Sequence, residues 1–184
     1  SLLMMRSYPT FAAALSALLL STTLGAQKTT PMRTGSGGSP HVRSDWSIDG
    51  ATIAVEYGRP YLKGRSETAM MPRGEVWRTG ADEQTTIRTD KTLKFGTLTV
   101  PPGAYGLHTI PGEKEWQLII SKRSSGWGIP YPVGQDVGRM PMKVSKTRSP
   151  VEQLTIQVED TAAGGALRIE WGTTSASAPF TVQP

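Results

Sequence analysis

The feature that most limits what this chain can fold into is a two-residue apolar rhythm, interrupted again and again by turn residues. Val42, Ser44, Trp46 and Ile48 alternate with charged or polar neighbours. Asp49-Gly50 follows, and Ile53, Val55 and Tyr57 then line one face opposite Thr52, Ala54 and Glu56. Successive side chains of a strand point to opposite faces, so this pattern describes strands with one buried face. Asp-Gly between two such runs predicts a type I′ hairpin. The rhythm returns at Tyr105-Leu107-Thr109, Trp116-Leu118-Ile120, Met140-Met142-Val144, Leu154-Ile156-Val158 and Leu167-Ile169-Trp171. Shorter runs lie at 76–79, 85–89, 93–100 and 180–182. Twenty Gly and 14 Pro punctuate the chain, and no segment sustains a 3.6-residue repeat. The pattern predicts an all-β fold, an antiparallel β-sandwich of roughly eight to ten short strands. Pro141 cannot donate to a ladder and predicts an edge position for its strand.

Residues 1–26 follow a different logic. Arg6, the apolar run Phe11–Leu20 and the small-residue end Leu24-Gly25-Ala26 have the pattern of a secretory signal peptide. The apolar run is shorter than the roughly 20 residues a membrane span needs. The expectation is export to the periplasm or beyond, with no transmembrane anchor after cleavage. Residues 27–41 are rich in Gly, Ser, Thr and Pro and predict a flexible linker ending at a solvated His41. Residues 42–184 then form a single domain.

Composition removes several classes of chemistry. The chain has no Cys and two His, which excludes a disulfide framework, a thiolate zinc site, an iron–sulfur cluster, a thiol nucleophile and a His-rich metal centre. Asp45, Asp49 and Asp82 lack the regular ligand spacing of a calcium loop. Neither a metal nor a cofactor is expected. A net charge of +5 on an exported chain suits small acids, glycans or anionic lipid rather than nucleic acid.

The richest cluster of chemistry-bearing residues is Arg59, Lys63, Arg65, Trp77, Arg78 and Glu83, which flank breaks in the strand pattern. Guanidinium groups grip carboxylates and phosphates in pairs of hydrogen bonds, and Trp77 offers a stacking surface. This predicts a non-enzymatic binding module for a small anionic or carbohydrate ligand or a cell-envelope partner, with Arg59, Lys63 and Arg78 as anchors. The competing reading is an internal network in which Arg78 pairs with Glu83 across Gly80 and Arg59 braces the loop. A hydrolase would need Glu83 or His108 as acid or base, but no G-x-S-x-G elbow is present. The alternation points His108 away from the core, to the surface or a sheet edge, and Asp82 and Glu83 read as solvated loop acids. A purely structural envelope protein is the third class.

Other residues have simpler readings. Trp46, Tyr57, Trp116 and Trp171 sit at apolar positions of the rhythm and predict core, whereas Trp127 and Tyr131 lie in a Gly/Pro-rich loop suited to ligand contact. Tyr105, after Pro102-Gly103, predicts a corner-locking hydroxyl. The run Arg139, Lys143, Lys146 and Arg148 predicts a charged edge face that discourages edge pairing.

Several segments together resemble one family. They are Val55-Glu56-Tyr57-Gly58-Arg59-Pro60 with Lys63-Gly64-Arg65, then Val76 to Glu83 with Thr85-Thr86, and Pro102 to Leu107. Thr109 to Gly112, Glu115-Trp116, Trp127-Gly128 and Glu170-Trp171-Gly172 complete the set. In this order they are similar to the exported bacterial family called domain of unknown function 2911, over about residues 44 to 182. The resemblance implies localisation and domain extent, and supplies no activity, cofactor or partner. Asp82 departs from the Asn common in similar proteins, and His108 stands where many have an apolar residue.

Overall fold

The computed structural model describes residues 27–184, so the expected signal peptide lies outside the described residues. The strands are β1 (Lys28–Thr34), β2 (Pro40–Ile48), β3 (Ala51–Gly58), β4 (Thr85–Thr89), β5 (Leu93–Phe95) and β6 (Leu98–Val100). They continue with β7 (Gly103–Ile110), β8 (Glu115–Ser121), β9 (Asp136–Thr161) and β10 (Gly164–Val182), and one short helix, α1 (Glu67–Met70), stands between β3 and β4. All pairings are antiparallel, in the order β1-β2-β3-β4-β7-β8-β9-β10-β5-β6. The all-β, antiparallel expectation holds. The predicted hairpin forms between β2 and β3, with Asp49 and Gly50 both at positive φ (47° and 80°), as a type I′ turn requires.

The ten strands form one sheet that folds over its own buried face. β2 packs against β9 and β10 without pairing with either, and the backbone N–H of Ile156 in β9 donates to Tyr57 Oη in β3. Trp46, Ile53, Val55, Leu107, Leu118, Leu154, Ile156 and Trp171 meet in the single core between the layers. β9 and β10, at 26 and 19 residues, are far longer than the short strands expected. The predicted runs at 140–144 and 154–158 are the two halves of β9. Between them, residues 147–150 stand opposite Thr173 alone, and the register shifts on both sides of Gly172. Such a bulge bends a strand without ending it. Gly172 sits at φ 62°, where a Cβ would strike the Glu67 carboxylate, and Glu67 Oε1 accepts from the Thr174 N–H there.

Residues 27–41, expected to be a linker, carry β1 instead. Every residue of β1 is exposed, so backbone pairing with β2 rather than apolar burial forms it. Pro141 lies in the stretch Asp136–Met142, which pairs with β8 alone. Residues 76–79, expected as a strand, make only the Trp77–Thr109 bridge. Tyr105 Oη donates to the Pro101 carbonyl at 2.7 Å and locks the turn into β7. Among the described residues no helix is long and apolar enough to cross a membrane.

Candidate functional site

Leaving β3, the chain makes an irregular excursion over residues 59–84 that is pinned at its base. Leu62 N–H donates to the Glu152 carbonyl, and Leu154 N–H donates to the Pro60 carbonyl. Trp77 exchanges two backbone hydrogen bonds with Thr109, at 2.8 and 3.0 Å. At the far end, Thr79 Oγ1 bonds Thr109 Oγ1, and Thr85 Oγ1 donates to the Thr79 carbonyl. Gly58 must lack a side chain, because a Cβ would strike the Ala81 carbonyl and lie 2.9 Å from His41 Nε2. The excursion, the β1–β2 loop and the loop carrying Trp127 together enclose a cleft of about 630 Å³, a size suited to a small molecule.

Four of the six candidate residues line this cleft: Lys63, Arg65, Trp77 and Arg78. Arg59 and Glu83 do not, and their partners explain why. Arg59 Nε donates to the Leu154 carbonyl at 2.9 Å and a terminal nitrogen donates to Thr155 Oγ1, so it ties the excursion to β9. Glu83 accepts from Arg33 of β1 at 2.7 Å, an exposed pair. Arg65 is partly committed, since it donates to the carbonyls of Leu62 and Tyr61 in its own turn. Trp77, expected to stack on a ligand, is buried in the floor. Its ring lies parallel to Trp171 at 6.1 Å and edge-on to Trp116.

Arg78 is different. Its guanidinium lies over the Trp127 ring, 4.4 Å from the centroid. Burial lowers its pKa, and the nearby charges of Asp82 and Glu83 only offset part of that cost. The expected Arg78–Glu83 pair does not form, because both acids are committed elsewhere. Glu83 holds Arg33, and Asp82 accepts from Ser36 Oγ (3.0 Å), Gly37 N–H (3.3 Å) and His41 Nε2 (3.0 Å). A guanidinium that is half-buried, stacked on one face and without an ion-pair partner among the described residues is a ready anion grip.

The Asp82 contacts were not foreseen. Both Asp82 and His41, expected to be solvated, are buried. The hydrogen bond from His41, aided by those from Ser36 and Gly37, holds the Asp82 carboxyl below the usual carboxylate range. The three donors belong to the β1–β2 loop and the start of β2, and Gly37, Gly38 and Ser39 of that loop form a wall of the cleft. Asp82 therefore fastens that wall. Lys63 in the lining, and Thr79 and Asp82 on either side of the lining residues Gly80 and Ala81, stand at positive φ (50°, 59° and 62°). Strained backbone of this kind concentrates where a ligand is held.

His108, expected at the surface, is fully buried. Its side of β7 is covered by the loop after β8. Nε2 donates to the Gly128 carbonyl at 3.1 Å, Tyr131 packs edge-on at 4.9 Å, and Nδ1 has no partner. Of the two loop aromatics, Tyr131 is thus a packing residue. Its hydroxyl bonds Asp136, and burial together with that bond raises its pKa to about 12. Trp127 is 49% exposed and lines the cleft.

The family described as protein of unknown function DUF2911 matches residues 39–180. The chain belongs to the DUF2911 family. No curated protein and no solved structure matches it. The segments that carry the DUF2911 resemblance converge on the cleft from distant parts of the chain, through Pro60 and Lys63, through Val76 to Ala81, and through Trp127 and Trp171. Residues 28–38, which include β1 and most of the wall fastened by Asp82, precede the DUF2911 match.

Proposed function

We propose that this DUF2911 protein is an exported, non-enzymatic binding module that takes a small anionic or sugar-like ligand in the cleft. The observation that supports this reading is Arg78, a half-buried guanidinium stacked on Trp127 with no ion-pair partner among the described residues. Lys63 and Arg65 bring the cationic side chains of the lining to three, against the single carboxylate of Glu75. Of the two acid/base candidates for a hydrolase, Glu83 does not line the cleft and His108 is fully buried.

The test is a thermal-shift screen of residues 27–184 with citrate, succinate, inorganic phosphate, glucuronate and glucose. A ligand at a hundred times its Kd stabilises by about 2.7 kcal/mol, a rise of roughly 5–10 °C for a domain of this size. The expected result is a rise with at least one anion that disappears in Arg78→Gln, whose own melting temperature in buffer matches the parent. No rise with any anion, or a rise that Arg78→Gln leaves intact, overturns the reading.

A further inference from the structure

We infer that the ligand is an acidic sugar, a pyranose ring bearing a carboxylate, rather than a free inorganic or aliphatic anion. This rests on the reading of the cleft as an anion site. Arg78 lies over one face of the Trp127 ring at 4.4 Å, so the charge that grips an acid is fixed on one aromatic ring, and Tyr61 of the same lining is the plate left to accept an apolar face. A ligand using both needs its acid directly attached to a flat body. Phosphate or citrate satisfies Arg78 and leaves the aromatic surface unmatched.

That aromatic surface is extensive. Among the described residues, five large apolar side chains are left exposed, Met32, Tyr61, Trp127, Ile129 and Val133, and three of them, Tyr61, Trp127 and Ile129, line this cleft. Exposed aromatic and aliphatic groups gathered in one concavity mark a binding surface. The remaining lining is polar in a way that a simple aryl acid does not use. Glu75 contributes a carboxylate acceptor, Ser39 a hydroxyl, and Gly37 and Gly38 a wall whose backbone is open to close approach. A Cβ built on Gly38 meets nothing within 4 Å, so the backbone there faces free space. Ring hydroxyls would meet these groups, while the C–H face of the pyranose lies on Tyr61.

The experiment is calorimetric titration of residues 27–184 with galacturonate, its trimer, glucuronate, glucose, benzoate and inorganic phosphate. Galacturonate, its trimer or glucuronate is expected to bind at least tenfold tighter than glucose, benzoate or phosphate. Tyr61→Ala and Arg78→Gln should each weaken that binding at least tenfold, and Arg78→Lys should recover part of it. Circular-dichroism melts confirm that each variant is folded. Equal binding of phosphate or benzoate, still lost in Arg78→Gln, overturns the sugar assignment while the anion site stands. Binding of uronate that survives Tyr61→Ala also overturns it. No binding of any acid ends both readings.

Discussion

Burial penalises the charged form of His108 and lowers its pKa in the folded protein. The unfolded chain binds that proton near pH 6.5, so stability falls as pH drops through this value. Asp82 acts lower on the scale. Its folded pKa lies below the usual carboxylate value, so its contribution is complete above about pH 4 and is lost as pH falls further. The melting temperature should therefore decline in two legs, one from pH 7 to 5 and one below pH 4. His108→Gln, which keeps a donor for the Gly128 carbonyl, should flatten the first leg and leave the second. A single leg in both proteins, followed by differential scanning calorimetry, contradicts this assignment. Neither burial was legible in the sequence. Alternation states correctly that His108 points away from the main core, but says nothing of the loop that later covers that side. Asp82 and His41 are 41 positions apart, and no local pattern announces that they meet.

Three hydrogen bonds from Ser36, Gly37 and His41 to one carboxylate make the β1–β2 loop a fastened wall rather than a loose arm. Gly35 tests that attachment without altering charge, because a Cβ there would strike Asp82 Oδ2 and approach His41 Nε2 to 2.6 Å. In Gly35→Ala the loop should detach, costing about 1–3 kcal/mol in lost charge-assisted hydrogen bonds. Hydrogen exchange should then speed up at residues 28–41 and stay unchanged in β7 and β8. Uniform acceleration across the sheet contradicts a local fastening. The strands of the domain itself were largely readable, because a half-buried strand must alternate and a tight hairpin must place Asp49 and Gly50 at positive φ. β1 was unreadable for the same physical reason. It buries no side chain, so its Thr, Pro and Arg residues carry no apolar rhythm, and what forms it is a neighbouring edge. The union of residues 136–161 into one strand was equally hidden, since the bulge at 147–150 interrupts the rhythm just as a turn would.

On the scale of the whole molecule, Trp77 joins the cleft floor to the core through its contacts with Trp116 and Trp171. Trp77→Ala should cost about 3–5 kcal/mol, whereas Trp127→Ala, on the cleft wall, should stay within about 0.5 kcal/mol of the parent. Urea denaturation separates the two, and equal losses would mean that Trp127 is also part of the core. The candidate residues divided along the same line. Sequence proximity placed Arg59, Trp77, Arg78 and Glu83 in one group, but burial and partner choice assigned Arg59 to bracing, Trp77 to the core and Glu83 to the β1 edge. Arg78 alone of these four kept an uncommitted charge facing the cleft. The sheet order has one more consequence, for how the chain is made. β5, at residues 93–95, finds its neighbour in Thr181 and Val182, so a ribosome must pass Val182 before the β5–β6 hairpin can dock on β10. Until that moment the emerging polypeptide carries open strand edges and an unclosed core. The β5–β6 hairpin, although made early, therefore waits for the later strands before its place on the sheet exists.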